Sequence, residues 1–128
     1  MSVHAKSVLV VDDALMLRQK LCEMLSRDGD FEVRGEAGSG QEAIEKAQQL
    51  HPDLIIMDFS MPGMNGLEAA RILRESIPST QIIMFSNYSD SFVKKLALSV
   101  GVAAVISKSQ NISLLLKTAR GLLLRSAA

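Results

Sequence analysis

Five short apolar runs punctuate this chain, and amphipathic stretches of helical period lie between them. Leu54-Ile-Ile-Met57 is the clearest: an unbroken apolar run, too short for a helix, bounded by polar residues and a Pro/Gly turn. It reads as a strand buried on both faces, as in a parallel sheet. Gln81-Ile-Ile-Met-Phe85 reads as another buried strand, and Ser7-Val-Leu-Val-Val11 and Ala103-Ala-Val-Ile106 also read as strands. Phe31-Glu-Val-Arg-Gly-Glu-Ala37 alternates apolar with charged or small residues, so one face is wetter and an edge strand is expected.

The intervening stretches predict five helices. Leu17, Leu21, Met24 and Leu25 share one face of the first, which also carries Cys22. Asp28-Gly-Asp30 is a turn. The second helix is opened by Gly38-Ser-Gly40, with Ser39 as N-cap and Glu42 completing a capping box. Ala43, Ala47 and Leu50 form its buried stripe, and His51-Pro52 ends it, because a residue before proline avoids helical geometry. Leu67, Ala70, Leu73 and Ile77 mark the third helix, stopped by Pro78. Asp90 caps the fourth, with Val93, Leu96, Ala97 and Val100 inward and Gly101 at its end. The last begins near Asn111 and carries Ile112, Leu115, Leu116, Ala119, Leu122 and Leu123. Strands alternating with helices imply an α/β fold: one doubly wound five-stranded parallel sheet with helices on both faces and right-handed crossovers.

Bulk properties narrow the function. At 128 residues the chain has the size of one domain, and no repeat or linker divides it. Fourteen basic residues balance fourteen acidic ones, which argues against a strongly electrostatic nucleic-acid or membrane binder. A single cysteine excludes an internal disulfide framework and suits a reducing compartment. No apolar run approaches the ~18 residues of a membrane span, and Met1 to Lys6 is no signal peptide. A cytoplasmic domain is expected.

In such sheets the site lies beyond the carboxyl ends of the strands. Four strands here end in Asp12/Asp13, Asp58, Ser86 and Lys108. Three carboxylates, a hydroxyl and an amine therefore meet on one rim. Crowded carboxylates repel unless a cation joins them, and oxygen-only ligation selects a hard ion, magnesium first, with manganese able to substitute. Such an ion neutralises a phosphoryl group and aligns it with a nucleophile, and a carboxylate can be that nucleophile, giving an aspartyl phosphate. Lys108 and Ser86 are the candidates for holding phosphate oxygens. His4 and His51 receive no catalytic role.

The patterns Val10-Val-Asp-Asp13, Pro52-Asp-Leu-Ile-Ile-Met-Asp58 with Met61-Pro-Gly-Met-Asn-Gly66, Met84-Phe-Ser86 and Ser107-Lys108 together resemble a response-regulator receiver domain over the whole chain. Overall the chain is most similar to receivers of the LuxR type, which usually precede a DNA-binding helix-turn-helix domain. The resemblance implies flavodoxin-like strand order 2-1-3-4-5. It implies that Asp58 accepts a phosphoryl group from a histidine kinase or phosphotransfer protein. Asp13, Asp58 and the backbone carbonyl of Ser60 would contact magnesium, with Asp12 assisting largely through water. Ser86 and Lys108 would hold the phosphate. Phosphorylation would shift the surface around the fourth helix, fifth strand and fifth helix, where a homodimer could form. Such a domain assists its own phosphorylation and dephosphorylation without being a classical turnover enzyme. The domain is expected to span residues 1–128, with 125–128 the start of a linker or tail, and any DNA-binding domain would lie outside this chain.

Two positions depart from the family. Val105 stands where a Tyr or Phe usually turns inward on activation, so the aromatic readout is in question, with Tyr88 or Phe85 as surrogate rings. The alternative function is an interaction module with weak or absent phosphorylation-dependent switching. Ser109 stands where many members have proline. A cis peptide there costs roughly 2.5–4 kcal/mol more than trans without proline, so the Lys108 amine is expected to be placed differently. Leu15 and Met16 offer an apolar landing point for a partner, and Leu114 and Leu124 fall off the main face of the last helix.

Overall fold

The computed structural model describes residues 5–87 and 90–124. Its elements alternate strictly: β1 (Lys6–Val11), α1 (Leu15–Arg27), β2 (Phe31–Ala37), α2 (Gly40–Leu50), β3 (Leu54–Met57), α3 (Gly66–Ser76), β4 (Gln81–Ser86), α4 (Ser91–Ser99), β5 (Ala104–Ser107) and α5 (Ile112–Leu123). The strands are all parallel, in the order β2-β1-β3-β4-β5. This is the expected doubly wound, flavodoxin-like sheet. No helix among the described residues is long and apolar enough to cross a membrane.

The two-residue period of a strand divides the core. Leu9, Val11, Ile55, Met57, Ile82 and Met84 face α2, α3 and α4. Val8, Val10, Leu54, Ile56, Ile83 and Phe85 face α1 and α5, where Leu21, Leu25, Leu115 and Ala119 cover them. The central strands β1, β3 and β4 are thus sealed on both sides.

β2 is an edge strand, as its mixed pattern suggests. Its register to β1 shifts between Val8 and Leu9, and the exposed Glu32 and Arg34 pair at 2.6 Å. A bulge and charges discourage further strand pairing at an edge. β1 starts one residue before the expected Ser7, and β5 covers Ala104–Ser107 where Ala103–Ile106 was expected.

Helix ends follow local chemistry, with two refinements. Ser39 accepts from the Glu42 N–H at 3.1 Å, but the Glu42 carboxylate reaches back to the Gly38 N–H at 2.7 Å, one residue beyond the cap itself. His51 ends α2 as expected, in a left-handed conformation (φ 47°) that avoids the right-handed geometry proline disfavours in the residue before it. Asp90 accepts from the Val93 N–H at 2.9 Å, and Gly101 takes φ 100° just after α4.

The one element that differs in depth is α4. Of the four residues expected inward, only Ala97 is buried, and Leu96 is 36 % exposed. α4 covers the β5 side of the sheet, where no further strand continues the floor beneath it. The helical period sets which residues share a face, not how far that face sinks.

Candidate functional site

The carboxyl ends of β1, β3, β4 and β5 converge at one rim. Asp12 follows β1 and is buried. Its N–H donates to the Ala37 carbonyl at 3.0 Å, its Oδ1 accepts from the Ala14 N–H at 2.8 Å, and its Oδ2 meets Lys108 Nζ at 2.8 Å. Asp58 follows β3, and its N–H donates to the Val11 carbonyl at 3.0 Å. Its Oδ2 lies 3.1 Å from Lys108 Nζ, and its Oδ1 receives only a long 3.4 Å contact from the Ser60 N–H. Asp13 is exposed, and its carboxylate has no hydrogen-bond partner among the described residues.

A glycine makes this corner possible. A Cβ on Gly66, the first residue of α3, would run into the Asp58 carbonyl oxygen. The Gly66 N–H closes the Asp58 loop by donating to the Phe59 carbonyl at 2.7 Å. Any larger residue would push α3 away from the backbone that carries Asp58.

Lys108 is the hub. Its side chain is 12 % exposed and bridges Asp12 and Asp58. Burial pulls the ammonium pKa down, but the hydrogen bonds and charges of Asp12 and Asp58 outweigh it, and the pKa ends above the usual lysine value. The amine is therefore a firmly charged group at neutral pH. Its backbone N–H donates to the Ser86 carbonyl at 3.0 Å, which sets fully buried Ser86 beside it. Without proline at Ser109, the peptide after Lys108 is trans, like every other among the described residues, and the amine reaches both acids. The turn is closed instead by the serines themselves. Gln110 N–H donates to the Ser107 carbonyl at 3.1 Å, Ser109 N–H donates to Ser107 Oγ at 3.2 Å, and the two hydroxyls lie 2.7 Å apart.

Ligand atoms of Asp12, Asp13 and Asp58 lie within 4.8 Å of one another. One ammonium against three carboxylates leaves the cluster net negative. The donor set is all oxygen, with no His or Cys in it, which fits a hard divalent cation such as magnesium. Both Asp12 oxygens already have internal partners, so Asp13 and the Asp58 Oδ1 are the oxygens best placed to receive an ion.

The surrogate rings fare differently. Phe85 is buried on the α1/α5 face of the sheet, whereas Val105 packs on the opposite face with the α2/α3/α4 cluster. Tyr88 lies outside the described residues. Sequence reasoning passed over Arg18, whose Nη1 donates to the Asp12 carbonyl at 2.7 Å and whose Nε donates to Glu36 Oε1 at 3.0 Å. One signal was available: a basic residue one turn past an acid pair can reach back to it.

A model of the family described as the response regulator receiver domain matches residues 8–120, nearly the whole of this arrangement. The chain belongs to that family. It is 40% identical over 106 residues to the response regulator protein VraR of Staphylococcus saprophyticus, covering 83% of this chain and 51% of that protein. It is 41% identical over 107 residues to a protein-glutamate methylesterase/protein-glutamine glutaminase of Nocardioides sp., covering 82% of this chain and 29% of that one. A solved LuxR-family DNA-binding response regulator from Staphylococcus aureus superposes with a TM-score of 0.85 at 27% identity, over 91% of this chain and 97% of that one. The receiver is thus of the kind found in LuxR-type response regulators of two-component systems. The chain spans about half or less of the curated relatives it matches here.

Proposed function

We propose that Asp58 is the phosphoacceptor of a magnesium-dependent signalling switch. The observation that carries this is the shared grip of Lys108 on Asp12 and Asp58, with Asp13 in the same cluster. An Asp58 carboxylate oxygen attacks the phosphorus of a phosphohistidine. The phosphorus–nitrogen bond breaks, its electron pair stays with the imidazole, and a proton from solvent neutralises that nitrogen. A magnesium ion, when bound, neutralises the charge on the transferring phosphoryl group. Asp13, Asp58 and the Ser60 carbonyl would hold it, with Asp12 acting through water. Lys108 then trades its bond to the Asp58 oxygen for one to a phosphate oxygen, and the Ser86 hydroxyl donates to another. In a separate step water attacks the phosphorus, the bond from phosphorus to the Asp58 oxygen breaks with its electron pair returning to the carboxylate, and phosphate leaves with the water's protons. This self-catalysed cycle is not classical turnover.

The donor would be a histidine kinase or phosphotransfer protein in the cytoplasm. Leu15 and Met16 stand exposed beside the acid pair and offer it an apolar contact. The output surface would be α4–β5–α5, as a homodimer contact or toward a DNA-binding domain outside this chain. Residues 1–128 form one receiver domain in this reading, with no membrane or nucleic acid contacted directly. Acetyl phosphate with magnesium should add one phosphate, seen by intact mass. Equal labelling of Asp58→Asn would sink the assignment.

Val105 favours a second reading, in which the fold binds partners without a phosphorylation-dependent change. A valine carries no ring to move between pockets. Beryllofluoride with magnesium separates the two: the switch predicts a change in oligomeric state or partner affinity, and the second reading predicts none.

A further inference from the structure

The geometry points to Arg18 as a positioning residue for Asp13, acting through the peptide that joins Asp12 to Asp13. This rests on the reading of Asp13 as a metal ligand. Asp12 is held from every side: by Ala37, Ala14 and Lys108. Among the described residues nothing holds the Asp13 side chain, so its carboxylate is aimed by its backbone. A peptide unit is planar, so the direction of the Asp12 carbonyl also fixes where the Asp13 N and Cα lie. Arg18 Nη1 donates to that carbonyl at 2.7 Å.

Arg18 is itself anchored. Its side chain is 18 % exposed, and its Nε is tied to Glu36 on β2 at 3.0 Å. The Glu36 carbonyl in turn accepts from Lys46 on α2, which pairs with Glu42 at 3.2 Å. Gly38 leaves room for the guanidinium; a Cβ there would stand 3.2 Å from Nη1. The guanidinium therefore bridges the carboxyl ends of β1 and β2, and both ends of the bridge are fixed. A lysine at this position could bond the carbonyl or the glutamate, but its single ammonium lacks the planar fork that serves both.

Outer groups that orient metal ligands commonly change metal affinity by about 10–100-fold when removed. Magnesium titration by calorimetry on the whole chain provides the test. Arg18→Met should weaken magnesium binding by about tenfold, and Arg18→Lys by less. The decisive arm repeats both in an Asp13→Asn background. With no Asp13 carboxylate to aim, Arg18→Met should then change affinity by less than twofold. A merely structural arginine would lose affinity equally in both backgrounds, and that result overturns the inference. So does an Arg18→Met affinity within twofold of wild type. If Arg18→Met does not fold, Arg18→Lys is read in the same cycle by the same criterion. Wild type that fails to bind magnesium, or Asp13→Asn that binds as tightly, overturns the metal site itself and takes this inference with it.

Discussion

The acidic rim and the α4–β5 edge are built from the same sheet to opposite standards. At the rim, β1, β3 and β4 are buried almost throughout, and Asp12, Asp58 and Lys108 hold one another in place. At the edge, three of the four β5 residues are half-buried, α4 buries only Ala97, and Phe92 and Leu98 are 69 % and 54 % exposed. Chemistry that needs fixed distances sits where packing is dense. The surface proposed above to take two arrangements sits where few contacts would have to be broken. Val105 lies on this same loosely packed edge, half-buried in β5.

The contrast is most easily broken by truncation. Ile56→Ala, in the sealed part of β3, should cost roughly 2–5 kcal/mol of unfolding free energy. Leu98→Ala, on exposed α4, should stay within about 0.5 kcal/mol of wild type. Urea denaturation measures both. Comparable losses would mean that α4 is a full member of the core.

Lys108→Met probes the rim itself. It removes the one cation between Asp12 and Asp58 and leaves two acids facing each other. Stripping a partner from a fully buried pair costs roughly 3–5 kcal/mol, and the rim's partial exposure reduces this to about 1–2. Magnesium should restore part of the loss, because a divalent ion can replace the missing charge. A variant as stable as wild type in chelator would show that the acids relax apart, and that the rim is less stiff than its geometry implies.

Hydrogen exchange extends the comparison without mutation. Amides of α4 should exchange before those of β1, β3 and β4, through local opening rather than global unfolding. Beryllofluoride with magnesium should slow exchange near the rim more than in β2. Uniform protection across α4 and the central strands would remove the basis for assigning the switch to that edge.

How much of this was legible in the residues depends on the range of the interaction. Strand-ending acids are local facts, so Asp12, Asp13, Asp58 and Lys108 could be brought to one rim from spacing alone, and parallel topology did the rest. Caps were equally local: Ser39 and Asp90 behave as their types suggest. What was not legible was depth and reach. Leu96 has the right period to point inward, but the sequence does not reveal that α4 rides high over the sheet's β5 side. How the Lys108 turn is closed was not legible either, because the reading weighed the missing proline and not the hydroxyls of Ser107 and Ser109. Arg18 was overlooked because its importance comes from Glu36, which lies on a different strand. Phe85 could have been discounted earlier. It shares its parity with Ile83, and that parity turns it away from the face on which Met84 and Val105 pack.

The smallest effect is also the most specific to the rim. The Lys108 ammonium has a pKa above its ordinary 10.5 because Asp12 and Asp58 outweigh the cost of burial. The folded state therefore holds this proton more tightly than the unfolded state does. The stabilisation it supplies is fully present below the unfolded value and is lost as pH rises through the higher folded value. Wild type minus Lys108→Met should accordingly be a constant stability difference from pH 6 to pH 9, since Lys108 is charged in both states there. Above about pH 10.5 the difference should shrink, because a neutral amine between two carboxylates supports them little better than a methionine does. Taking the difference cancels any alkaline destabilisation common to both proteins. No comparable alkaline convergence is expected for Leu98→Ala, which touches no ionisable group in this way. A difference that is already falling between pH 7 and pH 9 would mean a lowered amine pKa. Burial would then outweigh the acids, and the rim would lack the fixed positive charge that the proposed hold on a phosphoryl group requires.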